Sequence, residues 1–284
     1  MQLAFREWGP KHPDPNPQEG IDALVLLHGM GGTGSLWRPI AAYLEEQFQV
    51  IAPDQRGHGG SRPVPAHDFG FTPEDYARDI AELLDEKGIS KATVIGHSMG
   101  VRTATALAHL RPDLVQGLIL VDLGFSGPAG GGLGAPLYEF LKKIPMHFAS
   151  RAEARTYLET NCPDASIGKY LMAVATPQAP GVSEITFPFD REALLKTLES
   201  AETSSIRDWM PGILNHGIRI LALRGETSRV WSAEDYEREK AFFHGLPRIT
   251  FETFSGTGHG LPFEKRAVFL ERVQAFIREC AKPH

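Results

Sequence analysis

Gly96-His97-Ser98-Met99-Gly100 is the segment of this sequence best suited to chemistry, a serine with glycine two residues away on either side. A serine hydroxyl is a weak nucleophile until a neighbouring base takes its proton. The two glycines let the chain turn sharply, and such a turn would expose the Ser98 hydroxyl. A helix starting just after it would favour negative charge nearby. Gly258-His259-Gly260 supplies an imidazole, the side chain that titrates near neutral pH and can both take and return a proton. Two further clusters combine glycine with polar groups: His28-Gly29-Met30-Gly31-Gly32 and Asp54-Gln55-Arg56-Gly57-His58-Gly59-Gly60-Ser61. The sequence has eleven histidines. No metal-ligand spacing recurs among them, so no metal is expected.

Such groups need strands and helices to bring them together. Ala23-Leu24-Val25-Leu26-Leu27 is a continuous apolar run, as in a strand buried on both faces. Similar runs occur at 49–52, 92–95, 118–121 and 218–223, each followed by Gly, Asp or His where a strand would end. Open α/β sheets place their chemistry at the carboxyl ends of strands. Residues 3–8 read as an edge strand, followed by a Pro-rich turn at 10–17. Thr72-Pro73-Glu74-Asp75 reads as an N-cap, a first-turn proline and two carboxylates suited to the helix dipole. Helical spacing of Tyr76, Ile80, Leu83 and Leu84 continues it, and a closing helix is expected over 265–279. The alternation predicts one mostly parallel sheet with helices on both faces. Between 124 and 212 it breaks off. A flexible stretch at 126–132 leads into helix-like pieces near 137–143, 152–159 and 191–200, which read as a helical lid over the sheet's active edge. The expected division is a core of 1–123 and 213–284 with an insertion of 124–212.

These motifs, in this order, make the chain resemble the α/β-hydrolase family, in particular its serine esterases and lipases with a helical cap. The resemblance covers nearly the whole chain apart from the lid. It implies Ser98 as nucleophile and His259 as general base. It places the oxyanion-holding amides on Met30 and Met99, since a tetrahedral oxyanion needs two preorganised N–H donors. The acid that orients the histidine has more than one candidate. In many family members it follows the strand before the last, here Arg224-Gly225-Glu226-Thr227-Ser228, but Ser228 stands where an aspartate is usual. Asp122, closing the run 118–121, is the favoured choice, with Ser228 as an auxiliary contact, Glu226 as the alternative acid and Asp235 third. Haloalkane dehalogenases and epoxide hydrolases need a carboxylate where Ser98 sits, which disfavours both.

The totals set limits on partners. The chain of 284 residues carries a formal net charge of −6 and shows no basic stripe, so neither nucleic acid nor an anionic membrane is expected. No run approaches the roughly 20 apolar residues of a membrane span. The first residues lack the pattern of a signal peptide, and Cys162 and Cys280 form no CxxC pair, so a reduced cytoplasmic protein is expected. Asp54, Arg56 and His58 read as turn-fixing groups. Trp37, Phe125, Phe140, Phe148, Trp209 and Trp231 could line an apolar pocket or pack in the core. The expectation is a cofactor-free serine carboxylesterase acting on small to medium acyl esters through an acyl-enzyme. Hydrolysis of a C–C bond, lactone, amide or thioester on the same residues is the alternative. A non-hydrolytic lyase or oxygenase, or a ligand-binding protein of this fold, is the second.

Overall fold

The computed structural model describes residues 1–10, 23–64, 70–127, 133–179, 181–203 and 205–281. The Pro-rich turn beyond Pro10 and the glycine stretch at 128–132 lie outside the described residues. The elements in chain order are β1 (Phe5–Trp8), β2 (Ala23–Leu27), α1 (Arg38–Leu44), β3 (Val50–Pro53), α2 (Pro73–Glu86), β4 (Ala92–His97), α3 (Met99–Leu110) and β5 (Val115–Val121). Next come α4 (Gly134–Lys143), β6 (His147–Phe148), α5 (Arg151–Asn161), α6 (Ala165–Val174), β7 (Thr176–Pro177), β8 (Ile185–Thr186) and α7 (Arg191–Thr203). The chain closes with α8 (Met210–Asn215), β9 (Arg219–Gly225), α9 (Ala233–Phe242), β10 (Ile249–Phe254), α10 (Leu261–Glu264) and α11 (Arg266–Cys280).

Seven strands form the main sheet in the order β1-β3-β2-β4-β5-β9-β10. All neighbours pair in parallel except β1, the edge strand, which runs antiparallel to β3. The apolar runs therefore formed the strands expected of them, and the period of two explains why they are apolar throughout. Leu24 and Leu26 of β2 face a cluster with α1 and α11, whereas Val25 and Leu27 face one with α2 and α3. Each such fully buried side chain contributes about 1.5–3 kcal/mol relative to exposure. Helix α2 begins with the expected capping box: the Thr72 hydroxyl accepts from Asp75 N, and Asp75 accepts from Thr72 N.

Helices α4 to α7 and the small sheet β6-β8-β7 have an apolar cluster of their own, including Leu137, Phe140, Leu158, Phe187 and Leu194. Strand-like pairing joins this segment to the core, where Gly59 N donates to Pro188 O at 2.7 Å and Asp190 N to Gly57 O at 2.8 Å. Ile206, Met210, Ile213 and Leu214, around α8, pack into the main core beside α3.

Candidate active site

Ser98 occupies the turn between β4 and α3 with φ 54° and ψ −122°, a conformation that L side chains rarely adopt. The flanking glycines make this turn possible. A Cβ on Gly96 would lie 2.2 Å from Gly100 O, and one on Gly100 would lie 2.4 Å from Leu27 O. The main chain is pinned from the neighbouring strand, with Ser98 N donating to Val121 O at 2.9 Å.

Asp122 sits at the carboxyl end of β5, fully buried, also at positive φ (56°). Its Oδ1 accepts from Gly225 N at 2.8 Å. Its Oδ2 accepts from Ser228 Oγ at 2.5 Å and lies 2.8 Å from His259 Nδ1. A carboxylate only accepts, so the His259 proton belongs on Nδ1. Nε2 is then free to accept from Ser98 Oγ, 3.0 Å away. An unbroken chain of hydrogen bonds thus runs from Asp122 through His259 to Ser98. Glu226 is not part of it: its exposed carboxylate accepts from Gly256 N at 2.6 Å. Asp235 serves the start of α9, bonded to Ser232 and Arg238.

The glycine loop at 28–32 lies over Ser98, and two buried histidines shape it. His28 Nδ1 donates to Gly29 O at 2.8 Å, while its Nε2 accepts from Gln55 N at 3.0 Å. His58 Nε2 accepts from Gly31 N at 3.0 Å, and its Nδ1 donates to Arg56 O at 2.9 Å. Both roles require neutral rings. Burial pushes the His28 pKa down to about 4, and burial together with the nearby His28 pushes His58 down to about 3. Asp54 braces the same region, accepting from Gly34 N at 2.7 Å and Gly60 N at 2.9 Å. Arg56 forms a buried pair with Asp79 at 2.6 Å. These residues fix the turn, as their motif suggested.

Met30 lines the cleft above Ser98, and Met99 is the first residue of α3, where backbone N–H groups have no partner within the helix. The other walls come from Leu137 and Leu141 of α4, Ile167, Tyr170 and Leu171 of α6, and Leu194 of α7. The space between these walls, mouth included, is about 410 Å³. Tyr170 reaches the glycine loop, its hydroxyl donating to Gly29 O at 3.2 Å. The aromatic residues considered from sequence take other places. Trp37, Phe125 and Trp231 are core, Phe140 and Phe148 belong to the helical segment's own cluster, and Trp209 stacks on His109. Sequence reasoning missed α6 and Tyr170. The signal lay in Cys162-Pro163-Asp164, since Asp164 caps α6 by accepting from Ser166 N and Ile167 N.

Residues 22–130, from β2 past the Asp122 turn, match the family model described as the alpha/beta hydrolase fold. The chain has the α/β-hydrolase fold. The solved structure of a marine microorganism esterase superposes with a TM-score of 0.73 at 24% identity, covering 97% of this chain and 99% of that one. An E-2-(acetamidomethylene)succinate hydrolase gives 0.76 at 24% identity over 97% and 95%. Both show that this chain shares their fold over nearly its whole length. In sequence it is 26% identical to the mouse sn-1-specific diacylglycerol lipase ABHD11, over 90% of this chain and 81% of the lipase. It is 36% identical to the putative carbamate hydrolase RutD of Escherichia coli O139:H28, over 38% of this chain and 40% of that protein. Among the described residues, no helix is long and apolar enough to cross a membrane.

Proposed function

We propose that this protein is a serine hydrolase that cleaves carboxylic esters of small to medium acyl groups. The observation that carries the reading is the hydrogen-bonded chain from Asp122 through His259 to Ser98, ending at a serine held in a strained turn. In the proposed cycle His259 takes the Ser98 proton as Oγ attacks the carbonyl carbon, and the Met30 and Met99 amides hold the oxyanion. Collapse expels the alcohol, which receives the proton from His259. A water activated by the same imidazole then releases the acid. Asp122 keeps His259 in the productive tautomer and stabilises the imidazolium. Ser228 holds the carboxylate in place.

The cleft supports an uncharged, apolar acyl group, because Tyr170 and aliphatic side chains from three helices line it and, among the described residues, no Asp, Glu, Lys or Arg does. We assign 124–212 the role of a cap, with its last helix rooted in the main core. The names of the esterase and lipase that resemble this chain agree with ester cleavage, whereas the carbamate hydrolase keeps a neighbouring acyl bond in view. A series of p-nitrophenyl esters from two to twelve acyl carbons tests the reading. Turnover should be highest for the shorter members and should vanish in Ser98→Ala. Turnover of no ester by the wild type would refute it.

A further inference from the structure

His97 stands next to Ser98 but takes no part in the chain that joins Asp122, His259 and Ser98. Its ring is 1% exposed and lies 4.8 Å from the His259 ring, centroid to centroid, at an interplanar angle of 36°. Nε2 is 2.7 Å from the main-chain carbonyl oxygen of His259. A carbonyl oxygen only accepts, so His97 donates from Nε2 and its Nδ1 carries the lone pair. Burial, and then the neighbouring His259, push the His97 pKa down to about 3, which keeps the ring neutral.

The other ring nitrogen shows what the histidine is for. Nδ1 is buried without a hydrogen-bond partner, 3.3 Å from where a Cβ on Gly29 would lie. An unmet buried acceptor is a cost that leucine or phenylalanine at this position would avoid. The Nε2–H donor is what His97 supplies in return. Its target lies in a loop that needs fixing, since His259 is flanked by Gly258 and Gly260 and precedes the short helix α10. Apart from the bonds of the His259 ring itself to Asp122 and Ser98, the loop is held by bonds such as Thr227 N to Thr257 O, Thr257 Oγ1 to Phe254 O and Gly258 N to Glu264, which lead to residues away from Ser98. The His97 bond spans 162 positions of sequence and ties the base loop to the residue that precedes the nucleophile. Phe263 against the edge of the His97 ring, and Tyr170 on another side, hold the ring at that angle.

Resting on the serine-hydrolase reading above, we propose that His97 is a positioning residue: through the His259 carbonyl it sets the distance from the His259 ring to the Ser98 hydroxyl. Misplacing reacting groups by about 1 Å costs on the order of 10²-fold in rate. The bond should therefore show in the chemical step while substrate binding stays much as it is.

The test compares His97→Leu, which lacks the donor, with His97→Gln, whose amide can reach the same carbonyl. The probe is diethyl p-nitrophenyl phosphate. Its phosphorus bonds to Ser98 Oγ as the bond to p-nitrophenolate breaks and His259 takes the serine proton. His97→Leu should phosphorylate about 10²-fold more slowly than wild type, and His97→Gln should recover most of that loss. On a p-nitrophenyl ester the Leu variant should lose kcat with KM nearly unchanged. The low-field proton resonance of the His259–Asp122 bond should weaken in the Leu variant and return in the Gln variant. Should the Leu variant fail to fold, His97→Asn, polar but too short to reach the carbonyl, carries the same comparison. Equal phosphorylation rates with the resonance intact would overturn the assignment of His97 alone. A wild type that takes no label at Ser98 would overturn the serine-hydrolase reading, and this proposal with it.

Discussion

Ser228 donates its hydroxyl to Asp122 at 2.5 Å, on the same Oδ2 that lies 2.8 Å from His259 Nδ1. Ser228 itself accepts from Val230 N and Trp231 N at 3.2 and 3.4 Å, so the turn after β9 aims its hydroxyl at the carboxylate. Two strand ends, those of β5 and β9, thus cooperate in orienting one imidazole. Ser228, at the position where the sequence resemblance would put an aspartate, instead holds the carboxylate proposed as the acid, on the neighbouring strand.

That arrangement ranks three variants. Asp122→Asn should lower kcat by about 10⁴-fold, because an amide facing Nδ1 favours the wrong tautomer. Ser228→Ala removes one hydrogen bond to a charged group and should cost roughly tenfold. Glu226→Gln should stay close to wild type. Steady-state kinetics on one p-nitrophenyl ester decide the order, and a larger loss in Glu226→Gln than in Asp122→Asn would move the acid to β9.

Acid should weaken the fold through its buried histidines. His28, His58 and His97 have folded-state pKa values of about 4, 3 and 3, all below the ordinary 6.5. The unfolded chain therefore takes up protons from about pH 6.5 downward, while the folded chain holds these rings neutral. Their contribution is fully present above pH 6.5 and is lost as pH falls toward 4 and 3. Glu239, whose pKa burial raises, works in the opposite direction, but it is one group against three. Urea midpoints should fall between pH 7 and pH 4.5. A flat midpoint across that window would contradict the neutral-histidine account.

Two glycines should respond to alanine with opposite signs. At Gly100 the new Cβ would meet the Leu27 carbonyl oxygen at 2.4 Å, and a strand backbone cannot step aside, so a loss of about 1–3 kcal/mol is expected. Gly212, within α8, has nothing within 4 Å of the new methyl. There alanine should stabilise by about 0.5–1 kcal/mol through its helix preference. Thermal midpoints of the two variants, down for the first and up for the second, provide the check.

The cleft walls make a prediction about substrate length. Leu141→Ala and Leu194→Ala shorten two side chains that line the space above Ser98. Both should move the preferred p-nitrophenyl ester toward longer acyl chains. An unchanged profile in both would place the acyl group elsewhere.

The legible parts of this molecule are those where burial is continuous along the chain. Strands β2, β4, β5 and β9 are covered on both faces, so they read as unbroken apolar runs with polar groups at their ends. Ser98 and Asp122 stand at two of those ends. Strand β10 is a sheet edge with mixed exposure and leaves no such run. The pairs forming β6, β7 and β8 are two residues each, too short for any periodicity. The cleft walls were left open by the sequence for a related reason. A large aromatic side chain can serve as wall or core alike, and in the helical segment Phe140 and Phe148 turn into its own core and leave Tyr170 and aliphatic side chains facing Ser98. The place of His97 was hidden because its partner is a main-chain carbonyl, which no residue type announces.

In the proposed cycle everything turns on Ser98 carrying the acyl group. Rapid acid quenching of the enzyme during turnover of a p-nitrophenyl ester, followed by peptide mass measurement, tests it directly. One acyl group per chain is expected on the peptide containing Ser98, absent in Ser98→Ala, whose turnover is also lost. An acyl group on another residue, or undiminished turnover in Ser98→Ala, would contradict it.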